Sequence, residues 1–171
     1  MSVVVIIEPS ALERDALERK LRREGYQTVS TQNGRDAIAL LPEAIADVVL
    51  LDASAPWLNA ADSSSHPASG LDTLEQLRHD PRWRSLPVVM LGDSADPSDL
   101  LRAEQLKASD FLLKPGLTWS ELLSRVRYYA GHRKASAETT RPPGDAVSSD
   151  RFGRRNSPDD LDEDFKGRGA N

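Results

Sequence analysis

The chain has 171 residues, a formal net charge of −5 at pH 7 and no cysteine. This length suits one domain with a core of its own and leaves little room for a second. The acidic balance argues against binding to nucleic acid or to an anionic membrane, and the lack of cysteine excludes disulfides, thiolate metal sites and thiol nucleophiles. The first apolar run is too short for a signal peptide or a membrane span, so we expect a soluble cytoplasmic protein.

The chain opens with an unbroken apolar run at residues 2–7, which predicts a strand buried on both faces of a parallel sheet and ending at Glu8. Ser10 and Glu13 have the spacing of a capping box, which predicts the start of a helix that ends at Gly25. We expect this helix to bury one face, formed by Leu12, Ala16, Leu17 and Leu21.

A weaker strand pattern follows at residues 26–30, and an Asn-Gly pair then leads into a short helix that we expect to end at Pro42. Residues 48–51 form a second apolar run without alternation, and Asp52 stands where this run stops. An aspartate at a strand end commonly caps the next turn, so Asp52 by itself does not define a functional site.

The sequence beyond Asp52 contains a long polar segment, residues 57–69, that we predict to be a loop. Leucines spaced three apart predict a helix over residues 70–79, and the apolar residues 86–91 predict the fourth strand. A proline in the first turn predicts that the next helix starts at Pro97.

The last predicted strand covers residues 111–113 and is followed by Lys114. Thr118 and Glu121 form a second capping box, which predicts a final helix. The residues expected on the inner face of this helix are Leu122, Leu123, Val126 and Tyr129.

Five strands alternating with five helices predict a doubly wound α/β domain over residues 2–131, with a parallel sheet in the flavodoxin-like order 2-1-3-4-5. In this order strands one and three are neighbours, so Glu8 and Asp52 meet in the crevice where such sheets bind ligands, and Lys114 can lean over it. The other interpretation is that each of the three charged groups only faces solvent at the edge of the sheet.

Residues 132–171 are rich in proline, glycine, serine and charge and poor in large apolar residues, which predicts a disordered tail. A basic and then an acidic block in this tail, with Phe152, Leu161 and Phe165, could form a docking motif or a plain solvated segment. No helix-turn-helix pattern follows residue 131, so we expect output through a protein partner and not through nucleic acid.

The chain resembles the receiver domain of bacterial two-component response regulators, and the likeness covers residues 2 to about 131. It depends on a set of motifs in sequence order: Glu8, REGY from Arg23, NGRDAIALL from Asn33, DVVLLD from Asp47, Pro56, Gly70-Leu71, LPVVML from Leu86 and DFLLKP from Asp110.

The resemblance implies that Asp52 accepts a phosphoryl group from a histidine kinase, that Lys114 pairs with it, and that the ring of Phe111 turns inward on activation. This chemistry needs Mg²⁺ and a fixed cation, because a carboxylate attacks phosphorus only when the charge gathering on the oxygens is neutralised. It also implies a signalling module and not an enzyme.

Two positions depart from the family pattern. Pro9 replaces the second acid after strand one, so the expected Mg²⁺ site keeps only Glu8, Asp52 and the backbone carbonyl of Ser54 and is weak or absent. Gly92 replaces the threonine or serine whose hydroxyl contacts the phosphoryl group. Ser94 could substitute through a shifted loop, and Asp62 and His66 of the long loop could shield the crevice or supply a ligand.

We therefore predict an atypical receiver with weak or absent phosphorylation at Asp52, which signals through a face made by helix four, strand five and helix five. The alternative is an ordinary regulator, phosphorylated at Asp52, in which water and the long loop supply the missing ligands. A flavin or nucleotide site would need a phosphate-binding loop after strand one, and a hydrolase would need a base beside its nucleophile. The sequence shows neither, because its three histidines have no partners at motif spacing.

Overall fold

The computed structural model describes residues 1–58 and 69–132. Its five strands form one parallel sheet in the order β2-β1-β3-β4-β5, which confirms the predicted fold class and strand order. The strands are β1 (Val3–Ile7), β2 (Gln27–Thr31), β3 (Val48–Asp52), β4 (Val88–Gly92) and β5 (Asp110–Leu113). The helices between and after them are α1 (Ala11–Arg23), α2 (Gly34–Ala44), α3 (Gly70–His79), α4 (Pro97–Gln105) and α5 (Trp119–His132).

Helices cover both faces of the sheet, and this explains why the strand sequences are apolar without alternation. Successive residues of a strand point to opposite faces, so each strand supplies two cores. One core holds the buried side chains of α2, α3 and α4, and the other holds those of α1 and α5. Val5 and Ile7 of β1 lie in the first core, whereas Val4 and Ile6 lie in the second.

Two details of the sequence analysis are wrong. The helix predicted to end at Pro42 continues to Ala44, with Ile45 in the left-handed conformation after it. A proline removes only one intrahelical hydrogen bond, and the packing of Leu41 and Ala44 against the core holds this last turn.

Leu12 was expected on the buried face of α1, but 78% of its surface is exposed. It lies nine residues before the fully buried Leu21, and nine residues are two and a half helical turns, so the two side chains point in opposite directions.

Several predictions fall largely outside the described ranges. These are the disordered tail of residues 132–171, most of the loop at 57–69, and the proposed shielding by Asp62 and His66. Within the described part of the chain, no helix is both long and apolar enough to cross a membrane.

Candidate functional site

The carboxyl edge of the sheet brings three charged side chains together. β1 pairs with β3 so that Ile7 lies beside Leu51, which places the next residues, Glu8 and Asp52, side by side. β5 pairs with β4 so that Leu113 lies beside Gly92, and Lys114 follows directly. The predicted meeting of Glu8, Asp52 and Lys114 in one crevice is what the structure shows.

Asp52 is buried at the end of β3, with 1% of its surface exposed. Its Oδ1 accepts hydrogen bonds from the backbone N–H of Ser54 at 2.7 Å and from the Ser54 hydroxyl at 2.5 Å. Its Oδ2 lies 2.5 Å from the Nζ of Lys114. Oδ1 is thus hydrogen-bonded, whereas the buried Oδ2 makes no hydrogen bond within the described residues and has the charge of Lys114 as its compensation.

Glu8 is buried beside Asp52 and is held at both oxygens. Oε1 accepts the backbone N–H of Ser10 at 2.9 Å, and Oε2 lies 3.2 Å from Lys114 Nζ. Burial raises the pKa of Glu8, and the neighbouring charge of Asp52 adds to the rise. The hydrogen bond from Ser10 and the contact with Lys114 act in the opposite direction but do not cancel it.

Lys114 also contacts a third carboxylate, Glu13 in the first turn of α1, with 2.7 Å between Nζ and Oε2. Burial lowers the pKa of the Lys114 ammonium, but its contacts with Asp52, Glu13 and Glu8 outweigh burial, and its pKa is raised. Sequence analysis missed Glu13 as a site residue because the capping-box pattern assigned it to the backbone N–H of Ser10.

The capping box predicted at Ser10 is only half formed. The Ser10 hydroxyl oxygen accepts the backbone N–H of Glu13 at 3.4 Å. The return bond is missing, because the N–H of Ser10 is already taken by Glu8. The carboxylate of Glu13 is thus available to Lys114. At Thr118 and Glu121 the second predicted capping box is complete.

The candidate metal ligands of this crevice, Glu8 and Asp52, already face other groups. Pro9 has no side-chain oxygen, and the carboxylate oxygens of Glu8 and Asp52 face N–H, hydroxyl or ammonium donors. Over residues 1–58 and 69–132, no group of three histidine, cysteine, aspartate or glutamate side chains is arranged to hold a metal ion. In the described residues, the ammonium of Lys114 is the cation that lies against both acids.

Gly92 ends β4, and the ring of Phe111 lies against it. A Cβ atom added at Gly92 would be 2.8 Å from both Cε1 and Cζ of this ring. Phe111 is half-buried and packs on the core shared by α2, α3 and α4. Ser94, suggested as a substitute hydroxyl, is exposed, and the atom it brings within 3.5 Å of the same Cβ position is its backbone oxygen.

Gly70 supports the chain immediately after Asp52. Its N–H donates to the carbonyl of Ala53 at 2.9 Å, and a Cβ at this position would collide with the carbonyl oxygen of Asp52. The Gly70-Leu71 motif was noted in the sequence, but its steric reason is visible only when the start of α3 and the end of β3 are seen together.

A doubly wound five-stranded domain with two carboxylates and a lysine at the carboxyl ends of β1, β3 and β5 is the architecture of a receiver domain. Residues 4–127 match the family described as Response regulator receiver domain, and the chain belongs to this family. Receiver domains are signalling modules of two-component response regulators.

Among curated relatives, the chain is similar to the transcriptional regulatory protein KdpE of Mycobacterium tuberculosis. The two are 30% identical over 152 residues, which make up 89% of this chain and 60% of KdpE. The chain therefore spans less than two thirds of the length of this relative.

Solved structures with the same fold include the signal receiver domain of a histidine kinase from Syntrophus aciditrophicus. Its TM-score is 0.68 at 27% identity, covering 82% of this chain and 98% of that one. The receiver domain of the sensor histidine kinase PA1611 from Pseudomonas aeruginosa, which has a magnesium ion coordinated in its active site cleft, gives a TM-score of 0.63 at 22% identity. That match covers 76% of this chain and 98% of the other.

Proposed function

We propose that this receiver domain relays a signal by binding a protein partner through the face formed by α4, β5 and α5, with weak or absent phosphorylation at Asp52. The observation that carries the proposal is the contact between Phe111 and Gly92. The ring occupies the space that a side chain at position 92 would need, so the glycine itself lets the ring pack inward.

The same face offers apolar contact area to a partner. Leu101 of α4 is 54% exposed and Leu113 of β5 is 41% exposed. Large exposed apolar side chains are suited to a protein interface, whose centre is depleted of charge. The net charge of −5 argues for a protein partner over nucleic acid.

Weak metal binding is the second part of the proposal. A Mg²⁺ ion at this site would be held by Glu8, Asp52 and the carbonyl of Ser54, and it would supply neutralisation of a phosphoryl group. In this chain Pro9 withholds one ligand, and Lys114 already contacts the two acids. Binding a metal here requires that the ammonium give up contacts, which weakens the affinity.

An ordinary phospho-accepting regulator is the second candidate, and one observation favours it. Asp52 and Lys114 are both in place, so a nucleophile and a fixed cation are available. In such a step an Asp52 oxygen would form a bond to phosphorus while the bond from phosphorus to the histidine nitrogen of a kinase breaks.

The test is incubation with acetyl phosphate and Mg²⁺, followed by intact-mass and peptide measurement at Asp52. Asp52→Asn serves as the control that cannot form the acyl phosphate. We expect little or no added phosphate on the unmodified chain. Rapid and stoichiometric phosphorylation at Asp52 would establish the second candidate instead.

A further inference from the structure

Three carboxylates converge on the one ammonium of Lys114. Its Nζ lies 2.5 Å from Asp52, 2.7 Å from Glu13 and 3.2 Å from Glu8. The contacts with Glu8 and Glu13 are hydrogen bonds, and the contact with Asp52 is an ion pair. Lys114 comes from the end of β5, and the acids come from β3, α1 and the chain just after β1, so the contact joins four parts of the fold.

The three acids do not have the same reason to be there. Glu8 and Asp52 are buried, and each needs compensation because an unpaired buried charge is costly. The Glu13 side chain is 52% exposed, so water can solvate it without any help from lysine. Glu13 therefore does not need the contact with Lys114 to stabilise its own charge. The contact instead holds the ammonium of Lys114 in place.

Local geometry releases Glu13 for this contact. Glu8 binds the N–H of Ser10, which is the group that the Glu13 carboxylate would otherwise cap. Glu13 also sits in the first turn of α1, where the helix dipole favours a negative charge. Its carboxylate is thus held near the crevice.

We infer that Glu13 is a positioning residue, which ties the ammonium of Lys114 into the crevice and so keeps it in contact with both Glu8 and Asp52. The inference rests on the proposed function, because an ammonium held in the crevice occupies the carboxylates that a Mg²⁺ ion would need. A divalent cation or a phosphoryl group entering the crevice has to compete with an ammonium held at three points, not two.

Reductive methylation tests this directly, because formaldehyde and cyanoborohydride modify only the neutral form of an accessible amine. The full chain is labelled at fixed pH, and modification at Lys114 is followed by peptide mass spectrometry, with the exposed Lys107 as the internal reference. Glu13→Gln keeps the shape of the side chain and removes its charge. We expect it to raise the labelling rate of Lys114 about threefold, because the amine has to leave its carboxylate partners before it reacts and this variant removes one of the three ion pairs.

Glu24→Gln is the matched control. Glu24 follows the last residue of α1, and its carboxylate lies 2.9 Å from Arg127 in α5. The variant therefore also loses one exposed ion pair, but at the opposite end of α1 from the crevice. Labelling of Lys114 should be the same in this variant as in the unmodified chain. If losing any ion pair loosened the fold, the labelling rate of Lys114 would rise equally in both variants.

The inference is overturned if Lys114 is labelled at the same rate in Glu13→Gln and in the unmodified chain. It is also overturned if Glu24→Gln gives an equal increase. The proposed function is tested by a different readout, the mass gain at Asp52 with acetyl phosphate. Phosphorylation of the unmodified chain together with a Lys114 response to Glu13→Gln would therefore reject weak phosphorylation and keep the role of Glu13.

Discussion

The ring of Phe111 and the α-carbon of Gly92 occupy neighbouring strands, and no side chain fits between them. A methyl group at Gly92 would lie 2.8 Å from two ring carbons, closer than carbon atoms approach without repulsion. The ring of Phe111 can pack inward because position 92 carries no side chain.

Gly92→Ala is expected to displace the ring and to cost about 1–3 kcal/mol of unfolding free energy, the range for overpacking a well-filled site. Gly131→Ala is the control, because a Cβ there meets no atom within 4 Å and the position is in α5. That change should stabilise the domain by up to about 1 kcal/mol. Urea unfolding gives both values, and ring chemical shifts report the movement of Phe111.

Restoring the two missing family residues should restore phosphate chemistry. The double variant Pro9→Asp with Gly92→Thr is expected to bind Mg²⁺ about 10–100-fold more tightly than the unmodified chain, the range associated with restoring support for a metal site. It should also take up phosphate at Asp52. Amide shifts in a Mg²⁺ titration and intact mass measure the two effects.

Each single variant of this pair serves as a control for the other. Pro9→Asp alone should recover metal binding without a full recovery of phosphorylation, since Phe111 still fills the space at Gly92. If the unmodified chain already matches the double variant in both measurements, the proposal of a weak site is wrong.

The raised pKa of Glu8 makes stability depend on pH in a defined direction. A carboxyl group whose pKa is higher in the folded state binds more protons when folded, so unfolding free energy falls as pH rises. The fall begins near the ordinary value of 4.5 and is complete above the raised pKa. The slope from this one group cannot exceed about 1.4 kcal/mol per pH unit.

Glu8→Gln removes this group while keeping its shape. The difference in unfolding free energy between Glu8→Gln and the unmodified chain should therefore change between about pH 4.5 and the raised pKa of Glu8. At higher pH this difference should be constant. Lys114, whose pKa is also raised, loses its contribution only as pH rises beyond its ordinary value of 10.5, so it does not distort the comparison. A pH-independent difference would show that Glu8 titrates normally.

Partner binding should depend on the α4–β5–α5 face and not on the crevice. We expect Asp52→Ala to leave the complex recovered with the tagged chain intact, whereas Leu101→Glu, which places a charge on the exposed part of α4, should abolish it. Leu12→Glu is the matched control, because Leu12 is an exposed leucine on α1, outside that face. Loss of the complex in Asp52→Ala, with the fold retained, would support the phospho-accepting alternative.

Sequence patterns were sufficient for the features that depend on neighbouring residues. The apolar runs predicted the strands, their order followed from crossover rules, and the strand-end positions of Glu8, Asp52 and Lys114 predicted the crevice. A direct count of helical turns between Leu12 and Leu21 would also have avoided the error at Leu12.

The remaining features depend on contacts between distant parts of the chain. Glu13 looks like a capping residue until the N–H of Ser10 is seen to be taken by Glu8. Phe111 fills the space at Gly92 because its ring extends from β5 towards β4, and no local sequence pattern predicts this direction. Such contacts are set by packing, which overrides local preference.

The pairing of β1 with β3 has a consequence for how this site can change. A slip of one residue would turn every side chain of β1 to the opposite face, exchanging the two cores, and would also move Glu8 away from Asp52. The register needed for folding therefore keeps positions 8 and 52 adjacent, whatever chemistry the site carries out. Pro9 lies outside the buried apolar clusters and can change while the fold persists, whereas the ring of Phe111 leaves no space for a side chain at Gly92.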